Sequence, residues 1–368
     1  MADNEFNDLT SDENLIQQES TEDVTDKKCP NCGATVVYNP ETLGMTCDFC
    51  GYHRELPRPE DGGSIQELDF ASAINRESCD WGTKKKSVVC QNCGGESIYD
   101  DVDTASSCPF CGSTSVMPVE GIEGVMSPGG VVPFAISKEK AAELFKKWIK
   151  GKIFCPSRAK KESSAKYFDG IYLPYWTYDT DTTSSYSARL GYEYRDGDKV
   201  RVRWKSCSGV YQEFIDDQLV YASKKTANAD IERVSKFEFK DLREYSPELV
   251  AGFAAQRYSM GLDEGWEKAK ILIDKVLKDH LSKKLRSKYN ADRVDSIRLA
   301  TSFDKITYKY ILAPIWMSNF KYNDKVYSFV VNGQTGKISG KSPISPWRVA
   351  IAVLIAIVIL GIVFYFEM

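Results

Sequence analysis

The chain has 368 residues, 42% of them hydrophobic and 12% aromatic, which excludes a wholly disordered protein and provides for a sizeable core in two or three domains. Its formal net charge is −4, and two histidines, His53 and His280, leave little material for histidine-based catalysis. Eight of the eleven cysteines fall in one repeated pattern, so the recognisable chemistry is concentrated there.

Residues 1–27 are expected to form an acidic disordered tail, with nine acids and no base before Lys27. Next come two copies of one cysteine pattern, each position displaced by 61. The first is Cys29, Cys32, Cys47 and Cys50; the second is Cys90, Cys93, Cys108 and Cys111. Asn31, Tyr38 and Phe49 recur in register as Asn92, Tyr99 and Phe110, which marks a duplicated structural unit. Two residues between cysteines let one tight turn aim both sulfurs at a single point, and two such turns supply the four thiolates of a tetrahedral zinc site. Gly33, Gly51, Gly94 and Gly112 close the four turns, as residues without Cβ suit positive φ. The alternative, a disulfide framework, requires an oxidising compartment, and the N-terminal residues carry no signal-peptide pattern. Two structural zinc ions are therefore expected, each filled by four cysteines with no position open for water or substrate.

Zinc ribbon 1 is assigned to residues 28–53 and zinc ribbon 2 to residues 89–118, joined by a linker over 54–88. Neither cysteine-bounded segment, 29–51 or 90–112, contains a Lys or Arg, and both contain acids. Four thiolates on a divalent ion add negative charge, so these surfaces repel phosphates, and a protein partner is favoured over nucleic acid. His53 reads as a spare ligand or, better, as a solvated linker residue. Within the linker, 65–74 reads as a short helix, and Lys84, Lys85 and Lys86 form a basic run before ribbon 2. Cys79, Cys155 and Cys207 lie outside the pattern and read as small buried side chains.

An α+β domain is expected over 131–343. A helix begins at Ser137, an N-cap, with Ala141, Leu144, Phe145, Trp148 and Ile149 on one face and a basic opposite face that suits an anionic membrane surface or nucleic acid. Strands follow over 171–178, 185–194, 199–205 and 210–222, with a tight turn at Asp196-Gly197. Helices are expected over 248–258 and 264–288, and strands again from 306 to 338. Ile171, Pro174 and Trp176 recur 140 positions later as Ile311, Pro314 and Trp316, which suggests two β-meanders of similar entry geometry packed together. Asp179, Asp181, Asp216 and Asp217 read as exposed turn residues in preference to acid/base carboxylates.

Residues 347–366 are expected to be a transmembrane helix, the uncharged run 349–366 being long enough to cross a hydrocarbon core of about 30 Å. Trp347 and Tyr365 flank it, and Lys337, Lys341 and Arg348 precede it, so a single-pass protein of the cell membrane with its N-terminal domains in the cytoplasm is expected.

Taken with Val132-Pro-Phe-Ala-Ile136, Leu173-Pro-Tyr-Trp176 and Asn332-Gly-Gln-Thr-Gly-Lys337, the paired ribbons resemble a family of bacterial TFIIB-type zinc-ribbon membrane proteins, often labelled as similar to primosomal protein N′ (replication factor Y). The resemblance implies zinc-ribbon folds and a link to replication or transcription, but the helicase label has no support here. Such enzymes need the phosphate-binding run G-x-x-x-x-G-K-[ST], which does not occur; the segment 333–337 reads as a β-turn. The expected function is thus non-enzymatic: a membrane-tethered zinc-ribbon scaffold docking a cytoplasmic protein, with nucleic-acid binding at the membrane as the alternative.

Overall fold

The computed structural model describes residues 28–57, 65, 67–71, 85–100, 108–110, 113–119, 126–162, 168–224, 229–323 and 325–367. The acidic tail, most of the linker between the ribbons, Cys79, Lys84 and Cys111 lie outside the described residues.

Among the described residues, a three-stranded sheet holds β1 (Val37–Asn39), β2 (Gly44–Thr46) and β3 (His53–Glu55), and a twelve-stranded sheet holds the rest. The large sheet is built on two very long strands, β9 (Asp169–Asp196) and β13 (Arg293–Tyr322), paired antiparallel over most of their lengths. Strand β10 (Lys199–Tyr221) returns along β9 through the turn at Gly197, which adopts φ 63°. Strand β14 (Lys325–Asn332) returns along β13. Thus the four expected strands over 171–222 are two continuous ones. The expected strand from 306 begins earlier, at Arg293, because bulges at Ser296 and Lys305, both with positive φ, interrupt the alternation that marks a strand in sequence.

Residues on alternate sides of β9 enter two separate cores. Tyr172, Trp176, Tyr178, Tyr186, Ala188 and Leu190 face one, and Ile171, Leu173 and Tyr175 face the other. Helix α4 (Leu262–Tyr289), expected over 264–288, covers the first with Trp266, Ala269, Ile273, Leu277, Leu281 and Leu285 on one stripe. Helix α1 (Lys138–Lys150) buries Ala141, Phe145 and Ile149, and the Ser137 hydroxyl accepts the Lys140 amide at 3.3 Å as its N-cap. Two short helices, α2 (Ser157–Glu162) and α3 (Ala229–Val234), complete the body.

The repeat spaced by 140 is structural. Its two copies pair with each other, Ile171 against Ile315 and Tyr175 against Ile311, and the position where a residue faces its own counterpart is Leu173 opposite Ala313. A local two-fold axis passes through that pair. Trp176 Nε1 donates to the Met260 carbonyl at 2.9 Å, two residues before α4; Trp316 Nε1 donates to the Ile136 carbonyl at 2.8 Å, two residues before α1. Each long strand also accepts a short parallel strand, β9 taking β12 (Ala254–Gln256) and β13 taking β8 (Gly130–Val131).

One expected helix is not formed. Over 248–258 the chain instead turns, with Gly252 at φ 83°, and enters β12; a helix cannot run through that left-handed residue, which is held where Val37 of ribbon 1 presses on it. In 65–74 the described residues include β4 (Leu68–Asp69), which pairs with β13 at Thr307 and Tyr308, and residues 66 and 72–74 of the expected helix lie outside the described residues. Helix α5 (Pro346–Glu367) is long and apolar enough to cross a membrane, and no residue of its most hydropathic window is buried among the described residues.

Candidate metal centres

Ribbon 1 is built from two superimposable knuckles. The Gly33 amide donates to the Cys29 carbonyl at 2.8 Å and the Gly51 amide to the Cys47 carbonyl at 3.0 Å, while the Cys29 and Cys47 amides bond back to Ala34 and Tyr52. Gly33 and Gly51 reach φ 74° and 72°, which turns the chain so that the amides of the next residues, Ala34 and Tyr52, reach the Cys32 and Cys50 sulfurs. The result brings Cys29, Cys32, Cys47 and Cys50 together, all four Sγ atoms within 4.8 Å of one another. Cys29 to Cys50 is 3.3 Å and Cys32 to Cys47 is 3.5 Å. A tetrahedral zinc with ~2.3 Å bonds separates its sulfurs by ~3.8 Å, so the four thiols need only relax outward by a few tenths of an ångström to hold one.

The protons on this cluster point the same way. The Cys50 amide, more than any other influence, pulls the Cys47 thiol down to about 7, with the Phe49 amide helping. At Cys50 the Tyr52 amide also pulls downward, but the hydrogen bond with Cys29, burial and the neighbouring sulfurs prevail and push its thiol up to about 12. One thiolate forms readily and a second is resisted, the behaviour of crowded sulfurs that a divalent cation relieves.

Ribbon 2 repeats the construction. Gly94 at φ 68° donates to the Cys90 carbonyl at 2.9 Å, the Cys90 amide bonds Gly95 and the Cys108 amide bonds Ser113. Cys90, Cys93 and Cys108 lie within 4.8 Å of one another, with Cys93 and Cys108 3.6 Å apart. Both cysteine groups are thus close enough to bind a metal. His53 lies exposed on β3 outside the sulfur group, Cys155 is buried in the larger core, and Cys207 is half-buried.

The ribbons meet the body differently. Ribbon 1 rests on it without strand pairing: the Tyr38 hydroxyl donates to the Phe134 carbonyl at 3.2 Å, the Tyr38 amide to the Ala251 carbonyl at 3.2 Å, and Arg54 pairs with Glu248. Ribbon 2 enters the large sheet, since β6 (Glu96–Asp100) pairs with β12 and β5 (Lys85–Cys90) pairs with β6 and with β7 (Val116–Val119). The duplicated phenylalanine diverges with them. Phe110 is half-buried, pressed over Gly95 and packed on the second core, whereas Phe49 is 84% exposed.

A further titratable group was misread from sequence. Asp179 is buried in the sheet, not exposed in a turn, and it sits with Asp216 and Asp217 around the bulge that shifts β10 between Ile215 and Gln218. The cation that answers this cluster is within the chain. The Lys309 ammonium lies 2.8 Å from Asp217, 3.3 Å from Asp179 and 3.3 Å from Glu67. Burial works to depress the Lys309 ammonium, but its hydrogen bond to Asp217 and the charges of Asp217, Asp179 and Glu67 prevail and hold its pKa above the usual lysine value. Burial is also the main influence on Asp179, and it raises that carboxyl against the Asp217 amide and Lys309. The signal in sequence was Lys309 itself, a single charge amid Tyr308, Tyr310, Ile311 and Leu312.

No family model matches the chain, and no solved structure matches it. The chain is similar to an uncharacterised protein of Bacillus subtilis (strain 168), YdjG, at 27% identity over 331 residues, covering 88% of this chain and 91% of that one.

Proposed function

We propose that this chain is a non-enzymatic docking protein of the TFIIB-type zinc-ribbon kind, stabilised by two zinc ions and tethered by α5 to the cell membrane, with ribbon 1 presented to a cytoplasmic protein partner. The observation that carries the reading is Phe49, 84% exposed on a knuckle whose four sulfurs lie close enough together to fill a tetrahedral site. A site with no open ligand position has nothing to offer a substrate, but an exposed aromatic on a rigid turn is the type of group that anchors protein interfaces. The charged residues between Cys29 and Gly51 are Glu41 and Asp48, with no Lys or Arg, which argues against phosphate backbones as the partner. Lys341 and Arg348 before the span support a body on the cytoplasmic side, where thiols stay reduced for zinc.

Tagged full-length chain, extracted from membranes in detergent and treated with nuclease, tests this. A protein partner should co-purify with wild type and be lost at least tenfold with Phe49→Ala, at unchanged zinc content and unchanged membrane retention. Partners that persist with Phe49→Ala, or that vanish on nuclease treatment of wild type, overturn it, the second outcome in favour of nucleic-acid binding.

A further inference from the structure

We infer that the turn at residues 151–157, between α1 and α2, is a second membrane contact, interfacial where α5 is spanning, and that it seats the body on anionic phospholipid headgroups of the leaflet α5 enters. The inference rests on the reading of α5 as a membrane span.

The turn is fastened to the first residues of α5. Arg348 Nη1 donates to the Ile153 and Cys155 carbonyls, each at 2.9 Å, and Nη2 donates to the Ser157 hydroxyl at 2.6 Å. The Ser345 amide donates to the Phe154 carbonyl at 2.8 Å. Wherever the base of the span lies relative to the bilayer, this turn lies at the same depth. Its apolar side chains are turned out of the protein: Ile153 is 76% exposed and Phe154 41%, level with Trp347 at 74% and Ile344 at 66%. Cys155, by contrast, is buried beneath them, so the turn has an inner face already satisfied and an outer face that is not.

Charge identifies what covers the outer face. Residues 144–161 contain seven Lys or Arg and no acid, and residues 338–366 contain Lys341 and Arg348 and no acid. Lys146, Lys147, Lys150, Arg158 and Lys161 are exposed, and Lys152 lies over the Trp148 ring at 4.4 Å. Apolar groups ringed by cations and level with an interfacial tryptophan are the composition of a surface that dips between headgroups and holds anionic ones. Phe49 has no such ring, as its ribbon has no base between Cys29 and Gly51.

Photocrosslinking of the full chain in phospholipid vesicles tests the inference. A benzophenone amino acid replaces Phe154 in one variant, Ile357 within α5 in a second, and Phe214, exposed on β10 opposite Asp181, in a third. Lipid adducts are expected at 357 in any vesicle, at 154 with several-fold higher yield when phosphatidylglycerol is added to phosphatidylcholine, and at background level at 214. Changing Lys146, Lys147, Lys150 and Lys152 to Gln should abolish the phosphatidylglycerol dependence at 154. Adducts at 357 but not at 154 overturn the second contact while leaving the span intact; absence at both overturns the span and the contact together. Yields at 154 that ignore phosphatidylglycerol, or that are matched at 214, also overturn the inference.

Discussion

In ribbon 1 the three short strands pair only with one another, and the ribbon meets the body through Tyr38, Arg54 and the pressure of Val37 on Gly252. In ribbon 2 the strands that carry Cys90 continue, by way of β6 and β12, into the sheet of the body itself. The same cysteine spacing therefore serves two ends. A knuckle whose hairpin is a sheet strand helps define the body, and a knuckle that rests on a finished surface leaves its tip, Phe49, available for other contacts. Duplication supplies two stable turns; the edges available beside them decide what each turn does.

Metal loss should separate the two most sharply. Cys90→Ser, which removes a ligand on β5, is expected to lower global stability on the order of 5 kcal/mol, a fraction of the ~10–16 kcal/mol that structural zinc contributes in small zinc fingers. Cys47→Ser should abolish one metal and leave the unfolding transition of the body nearly in place. Elemental analysis and chemical unfolding of the two variants check this, and equal global losses would break the comparison.

The segment between the ribbons is the next largest lever, because Lys309 holds Glu67 beside β4. Lys309→Met leaves Asp179 and Asp217 buried or half-buried without their cation, which costs about 3–5 kcal/mol near neutral pH. The sign with pH follows from Asp179, whose carboxyl is raised in the fold, mainly by burial. A group raised in the folded state favours folding while protonated and loses that contribution as pH rises through its folded value, so the variant's deficit should shrink on acidification. Urea midpoints across a pH series measure it, and a deficit independent of pH would mean that packing, not charge, holds the connector.

Smallest is the effect of Tyr38→Phe, which deletes one buried hydrogen bond to the Phe134 carbonyl and is expected to cost about 1 kcal/mol. It should appear as faster hydrogen exchange at Cys47 and Gly51 with unchanged exchange at Gly94. Parallel changes in both ribbons would show that they open together.

What was legible in sequence is what short-range geometry dictates. Cysteine spacing revealed the knuckles, a single apolar stripe revealed α1 and α4, and uncharged length revealed α5. What was hidden depends on distant neighbours. Residues 293–305 carry Arg293, Asp295, Arg298, Asp304 and Lys305 and two bulges, so their pairing with β9 has no local signature. The stretch 248–258 has helical spacing, but Gly252 turns left-handed close beside Val37 of ribbon 1. Phe49 and Phe110 occupy equivalent positions, and only the surrounding sheet separates their fates. Asp179 resembled a turn residue because its strand partners, Asp217 and Thr307, lie 38 and 128 positions away.

The two-fold axis through Leu173 and Ala313 has one further implication. Each half of the body lends its short strand to the long strand of the other, β12 to β9 and β8 to β13, so neither half closes its own sheet. This is the connectivity of a strand-exchanged homodimer fused into one polypeptide. Its pairings are of high contact order, and ribosomal synthesis must reach Met317 before β9 is paired along its length. Until then the nascent chain carries the edge of β9 open along Asp169 to Gly191, an unpaired edge of the kind that templates pairing with a second copy.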